Sequence, residues 1–212
     1  MKTKSTALCL LVLGTSTLSG CLTPKAIQAT RYYTVSHTSV TPGETISQAS
    51  LGLRPFVAAR PYKLEMAYRA ATNRLGYYSR SEWAELPGTV VSRAVFDNIV
   101  KGNLYQDAGE ATAMAHPDFI FTGELRRFET DYTGDSPEFV VAVSASIRST
   151  LDGARAWQDQ IEVRTPLNVT TYANPTDDTL LEIARAASEA VSALSQELTK
   201  RVRVTLSAST PK

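Results

Sequence analysis

Apolar and polar side chains alternate along much of this chain, which is typical of strands that bury one face. The alternation runs into a loop at 70–73 and resumes after it as far as Ser79, which predicts a hairpin. Five further strands are predicted on the same grounds. They are 31–35, 46–57 with Leu51, Leu53 and Val57 on one face, 119–128, 139–151, and a return through Trp157, Ile161 and Val163.

Two segments instead repeat apolar residues every three or four positions, the spacing of a helix with one buried stripe. The first has Pro87 in its first turn and Gly102 at its stop, and the second runs from about 176 to 201. Strands followed by a helix, more strands and a closing helix predict a single α+β domain, with a largely antiparallel or mixed sheet covered by two helices. The predicted buried stripes are Val91, Ala94, Val95 and Ile99, then Leu180, Ala184, Ala187, Val191, Leu194 and Leu198.

The loop after the strand at 139–151 contains Asp152-Gly153, the usual composition of a two-residue hairpin turn. Such a turn would place apolar Ile147 opposite polar Gln158, although residues opposed across two strands share one face. We therefore predict a connection of three or five residues, in which Gly153 supplies unusual backbone angles. The expected pairs are Val143 with Val163 and Ala145 with Ile161.

The N-terminus has the pattern of a bacterial lipoprotein precursor. Lys2 and Lys4 precede an apolar run far shorter than the roughly 20 residues of a membrane-spanning helix. Residues 18–21 match the lipobox, in which an apolar and two small residues precede a cysteine that takes a diacylglyceryl group. We expect residues 1–20 to be a signal peptide and Cys21 to be the lipidated N-terminus. The alternative is a plain secreted protein with a chance cysteine.

The rest of the chain divides into a lipidated tether over 21–30, a domain over 31–204 and a flexible polar tail over 205–212. Leu22 stands after the cysteine, where an aspartate would be the usual signal for retention in the inner membrane. In a Gram-negative cell, this predicts a lipid-anchored protein on the periplasmic face of the outer membrane.

Charge and cysteine content exclude several classes of function. The chain has 22 basic and 21 acidic residues, and removal of the signal peptide leaves 20 against 21. A near-neutral chain without a basic block argues against a nucleic-acid partner. The only cysteines are Cys9, which leaves with the signal peptide, and the acylated Cys21. The mature fold is therefore expected to have no disulfide and no cysteine-bound metal.

Catalytic motifs are absent from the sequence. His37 and His116 have no partner at ligand spacing, no Gly-x-Ser-x-Gly elbow occurs, and no glycine-rich phosphate loop is present. We expect no catalytic residue, no metal site and no cofactor.

The aromatic residues allow two interpretations. Nine tyrosines occur in the chain, and rings such as Tyr62, Tyr68 and Tyr77 can pack with their hydroxyls at the rim of the core. They can also form a surface for a partner, since tyrosine and tryptophan are enriched where proteins dock. The sequence also allows more than one interpretation of Trp83, which can be a core residue, an anchor at the start of a helix, or a partner contact.

A series of short motifs gives the chain a family resemblance. Over most of its mature length, the chain resembles the ABC-type transport auxiliary lipoprotein family, which includes the lipoprotein of the paraquat-inducible system. The stretch from Met-x-Tyr-Arg to Trp-Ala-x-x-Pro is its most specific part. The motifs are Tyr32-Tyr33-Thr34-Val35, Leu53-Arg54-Pro55-Phe56, Arg60-Pro61-Tyr62, Met66-Ala67-Tyr68-Arg69, Tyr77-Tyr78 and Glu82-Trp83-Ala84-Glu85-Leu86-Pro87.

The resemblance implies an accessory role beside an ABC permease, its ATPase and an MCE-domain protein that bridges the periplasm. Such systems move lipids or other hydrophobic molecules between the inner and outer membranes. It implies no enzymatic activity and is compatible with homo-oligomeric assembly. Tyr62, Tyr68, Arg69 and Trp83 are the candidate partner-binding residues. The alternatives are a lipoprotein that binds a cell-wall synthase or an outer-membrane assembly machine, and a lipid-anchored hydrolase.

Overall fold

The computed structural model describes residues 28–39, 42–45, 47–169 and 172–209, with side chains as far as residue 203. The signal peptide and Cys21 lie outside these residues, so cleavage and lipidation stay predictions. Within the described residues the chain forms nine strands and two helices. In order they are β1 (Arg31–Tyr33), β2 (Ser47–Leu53), β3 (Val57–Ala58), β4 (Glu65–Ala71), β5 (Arg74–Trp83), α1 (Pro87–Lys101), β6 (Tyr105–Glu110), β7 (Phe119–Asp131), β8 (Glu138–Ser149), β9 (Arg155–Pro166) and α2 (Asp177–Ser209).

The sheet is organised around β7, its longest strand. β8 pairs antiparallel along the whole of β7, and β9 pairs antiparallel with β8. The other side of β7 is shared in turn by β2, β3 and β4, which all run parallel to it. β6 lies outside β2, while β5 and then β1 lie outside β4. This mixed sheet with two helices confirms the predicted α+β class.

The two helices pack together against the sheet and bury the stripes predicted from their periodicity. α1 begins at Pro87 and stops at Gly102 as predicted. At the start of α2, the Thr176 hydroxyl accepts a hydrogen bond from the backbone amide of Thr179 at 3.2 Å, which caps the helix. α2 continues to Ser209, beyond the predicted end near 201.

The predicted second strand is wrong beyond Leu53. β2 ends there, and β3 begins at Val57, whose side chain is 71% exposed instead of buried with Leu53. Pro55 has no backbone N–H to donate to a neighbouring strand. The next amide, that of Phe56, leaves the sheet and donates to Ser92 Oγ in α1 at 2.7 Å. The break therefore joins the sheet to the helical layer.

β5 is longer than predicted, because it passes through a bulge and continues to Trp83 instead of ending near Ser79. Four residues of β5 stand opposite one residue of β4 at this point, and Arg80 has a positive φ of 54°. β6 was not predicted at all. Its sequence, Tyr-Gln-Asp-Ala-Gly-Glu, lacks the apolar alternation on which strand prediction rests, as suits a strand at the edge of a sheet.

The connection between β8 and β9 has five residues, one of the two predicted lengths, and Gly153 has the expected positive φ of 70°. The predicted pairs were wrong by two positions, because Val143 pairs with Ile161 and not with Val163. Both pairings place Val143 opposite an apolar residue, so the face pattern could not separate them. Leu151 lies in the loop, where its side chain is 95% exposed.

Candidate functional site

A cavity of about 450 Å³ opens at the edge of the sheet beside β5. β1 pairs only with the last three residues of β5, so no described strand covers the earlier part of β5 on this side. The bulge in β5 and the segment that leads into α2 form further walls. Four tyrosines and two arginines line the cavity: Tyr68, Tyr77, Tyr78, Tyr172, Arg31 and Arg80.

The tyrosine rings of this cavity pack on one another. Tyr68 stacks on Tyr172, with ring centroids 4.9 Å apart and planes 20° apart, and it lies 4.9 Å from Tyr78. The hydroxyls of Tyr78 and Tyr132 are 2.9 Å apart and share a hydrogen bond. Gly76 permits this arrangement, because a Cβ there would lie 2.5 Å from the Tyr68 ring. Burial raises the pKa of Tyr78 and of Tyr132, so both hydroxyls stay neutral at physiological pH.

The charged groups of the cavity differ in their surroundings. Arg31 pairs with Asp177 at 3.2 Å, and the Tyr33 hydroxyl donates to the same carboxylate at 2.6 Å. Burial and this hydrogen bond raise the pKa of Tyr33 to about 12. Arg80 is exposed and forms no ion pair with a described residue. Arg80 and Asn174, which also lines the cavity, have positive φ values of 54° and 50°. Such backbone conformations often occur at ligand-binding sites.

A second polar site lies on the sheet face away from the helices and centres on Glu129, whose side chain is fully buried. Arg69 donates to its carboxylate from Nε at 2.7 Å and from Nη2 at 3.0 Å. Arg127 donates to it from Nη2 at 2.7 Å and from Nε at 2.9 Å, and the Tyr62 hydroxyl donates at 2.9 Å. Five hydrogen bonds therefore converge on one carboxylate, a strongly satisfied arrangement for a buried charge.

The position of this cluster follows from a bulge in β7. The register shifts between Leu125 and Arg127. Beyond the bulge, Phe128 faces the core, where its ring lies 5.3 Å from Trp83. Because side chains alternate along a strand, Glu129 then points to the opposite face.

The cluster continues through Asp131 to β9. The Asp131 carboxylate accepts hydrogen bonds from Arg127 at 2.7 Å and from the Thr133 hydroxyl at 2.6 Å, and Arg164 lies 3.6 Å away. Burial opposes ionisation, but the hydrogen bonds from Thr133 and Arg127 prevail and lower the pKa of Asp131 to about 2. Despite burial, the carboxylates raise the pKa of Arg127. The cluster thus holds charges of both signs between β4, β7 and β9.

The four residues predicted to bind a partner fall at different depths. The Trp83 side chain lies in the core at 2% exposure, between Phe128 and Phe139. Tyr62 is 5% exposed and is held by Glu129. Tyr68 and Arg69 are half-buried, Tyr68 in the cavity and Arg69 in the Glu129 cluster.

Partner contact through these four residues stays a prediction, and for Tyr62 and Trp83 it would require the domain to open. For these two side chains the structure favours the packing interpretation that the sequence left open.

Sequence reasoning missed most of the cavity. Tyr172 lies in a segment without periodicity, and Arg31 and Arg80 carry no motif. Tyr68 was a predicted partner-binding residue and does line the cavity. The adjacent pair Tyr77-Tyr78 was a further signal, because neighbouring strand residues point to opposite faces and one had to be exposed. Tyr77 is indeed 46% exposed, whereas Tyr78 is buried.

The described part of the chain contains no group of three or more side chains placed to hold a metal ion. None of its helices is long and apolar enough to cross a membrane.

No protein-family model matches the chain, and it has no match among curated proteins. Among solved structures, XCC0632 from Xanthomonas campestris, a DUF330 protein, aligns with a TM-score of 0.69 at 20% identity, over 82% of this chain and 95% of that chain. An uncharacterized protein aligns with a TM-score of 0.60 at 8% identity, over 82% and 99%. CT253 from Chlamydia trachomatis aligns with a TM-score of 0.54 at 9% identity, over 76% and 99%. At these identities the similarity shows a shared fold.

Proposed function

We propose that this protein is a lipid-anchored accessory subunit of an ABC/MCE-type transporter that moves lipids or other hydrophobic molecules between the inner and outer membranes. In this proposal the protein is anchored by Cys21 on the periplasmic face of the outer membrane. It binds and positions the MCE-domain protein of the transporter and has no catalytic role.

One observation carries the proposal. Several of the motifs that give the chain its family resemblance are separate in sequence but meet in space. Tyr62 and Arg69 share the Glu129 carboxylate. The Tyr77 hydroxyl donates to the carbonyl of Pro61 at 3.1 Å, and the backbone amide of Trp83 donates to the carbonyl of Leu64 at 2.7 Å. Convergence of this kind is expected when a motif series specifies a fold, and it supports the resemblance.

The length of the tether supports a docking role. Gln28, the first described residue, comes seven residues after Cys21. A fully extended chain of that length spans at most about 25 Å. A lipid on Cys21 would therefore hold the domain at the membrane surface. A subunit that docks the end of the MCE-domain protein at the outer membrane has to lie there.

The test is photocrosslinking in living cells from exposed side chains on different sides of the domain. Tyr32 is 64% exposed near the start of the fold, Leu86 is 51% exposed before α1, and Leu151 is 95% exposed in the β8–β9 loop. We expect the MCE-domain protein to be captured from at least one position and not from all three. Capture of a cell-wall synthase or an outer-membrane assembly protein in its place would support the alternative function, and absence of the MCE-domain protein at every position would contradict the proposal.

A further inference from the structure

We propose that the cavity beside β5 binds the phosphate headgroup of an anionic phospholipid in the membrane that carries the protein. This inference rests on the lipid anchor of the proposed function and adds a second, non-covalent contact with the same membrane. The cavity, its charge and its distance from the anchor each contribute to the inference.

The charge of the cavity is complementary to a phosphate. Arg31 and Arg80 line it, and no carboxylate does. Arg80 forms no ion pair with a described residue. The partner of Arg31 is Asp177, and the two side chains are 44% and 62% exposed. Exposed pairs of this kind are weak, so a phosphate can replace the carboxylate and accept two hydrogen bonds from the guanidinium.

The aromatic walls suit the boundary between headgroups and acyl chains. A tyrosine ring presents an apolar body with a polar tip, which is why tyrosine is enriched at membrane interfaces. Tyr77 is 46% exposed and Tyr172 is half-buried, and both line the cavity. A volume of about 450 Å³ is within the range of small-molecule sites.

The tether brings the cavity to the membrane. Gln28 itself lines the cavity, and it is joined to Cys21 by at most about 25 Å of extended chain. The cavity is therefore among the parts of the domain closest to the anchor. A soluble phosphate could contact the same groups, but the tether keeps the cavity close to the bilayer. We therefore assign the site to a lipid in that bilayer.

The experiment measures vesicle binding by the mature chain, residues 21–212, with Cys21→Ser, in which the covalent anchor cannot form. We expect stronger co-sedimentation with phosphatidylcholine vesicles that contain phosphatidylglycerol than with phosphatidylcholine alone, and weaker binding as salt is raised. Arg31→Gln and Arg80→Gln should each lower the partition coefficient about fivefold. Their thermal melting curves should match that of the parent, because neither side chain is buried.

The matched control is a cavity of similar size elsewhere on the domain. Arg148 and Arg155 line a space of about 440 Å³ that contains no tyrosine. Arg148→Gln and Arg155→Gln make the same charge changes and should leave vesicle binding unaltered. If these controls lowered vesicle binding as much as Arg31→Gln and Arg80→Gln do, net charge alone would drive binding, and the inference would be wrong.

Two further results would overturn the inference. The first is an equal affinity of the Cys21→Ser chain for both kinds of vesicle. The second is binding of glycerol phosphate in solution by a chain that does not co-sediment with either kind of vesicle, because the site would then recognise a free phosphate ester. The assay contains no transporter, so its failure would leave the crosslinking result standing, and a failed crosslink would leave the lipid contact standing.

Discussion

Replacement of Glu129 by glutamine removes a buried negative charge that two arginines and a tyrosine share. The glutamine amide nitrogen cannot accept a hydrogen bond, so donors that now point at the carboxylate would face another donor. Breaking a buried ion pair costs about 3–5 kcal/mol. The side chains of Arg69 and Arg127 are 23% and 21% exposed, so water compensates in part. We therefore expect the lower end, a loss of about 3 kcal/mol in the free energy of unfolding.

The assay is equilibrium unfolding in urea, supported by thermal melting. A loss of about 3 kcal/mol corresponds to a melting temperature lower by roughly 6–12 °C in a domain of this size. The midpoint of the urea transition should fall without a change in slope, since the surface exposed on unfolding is the same. Tyr62→Phe removes the hydroxyl and leaves both arginines on the carboxylate, so it should cost only about 1 kcal/mol.

Glu124→Gln is the matched control, because it makes the same substitution on the same strand. Glu124 pairs with Arg126 at 3.0 Å, but the two side chains are 45% and 53% exposed. An exposed pair contributes little, and the expected change is below about 0.5 kcal/mol. Similar unfolding free energies for Glu129→Gln and Glu124→Gln would refute the view that the Glu129 cluster holds the sheet together.

Three further predictions concern other parts of the chain. The pKa of Asp131 lies at about 2 in the fold, below its ordinary 3.8. The ionised carboxylate therefore contributes fully to stability above about pH 4, and this contribution is lost as the pH falls from 4 to 2. In Asp131→Asn the melting temperature should change less with pH over that range than in the parent. Gly123→Ala places a Cβ 2.6 Å from the Phe56 ring and should cost about 1–3 kcal/mol in urea unfolding, whereas Gly109→Ala, with its nearest neighbour at 4.0 Å, should not. Cys21→Ser should leave the fold unchanged but abolish recovery in the membrane fraction after a high-salt wash, which screens the charge contact of the cavity, and full retention after that wash would contradict lipid anchoring.

The parts of the fold that could be predicted were those specified by local pattern. The stripes of α1 and α2 recur at helical spacing, and they are buried where the periodicity placed them. The odd length of the β8–β9 connection followed from the requirement that opposed residues share a face. In each case the evidence lay within one element or between two adjacent elements.

What could not be predicted depends on contacts between distant elements. The break after Leu53 is stabilised when the Phe56 amide donates to Ser92 Oγ, and the two residues are separated by 36 positions. Beyond the bulge at Arg80, the end of β5 pairs with β1 on one side and with Glu65 of β4 on the other. β6 has little apolar character and is ordered by pairing with β2. None of these partners can be identified from the periodicity of the segment itself.

The same distinction separates the motif residues from the cavity. Tyr62, Arg69 and Trp83 stand out in the sequence, and the structure places them against Glu129 or in the core. Arg80 is exposed and forms no ion pair with a described residue, although its backbone occupies an unfavourable conformation. The bulge in β5 accounts for this backbone conformation, but no ion pair holds the side chain, so vesicle binding by Arg80→Gln directly tests the lipid contact proposed above.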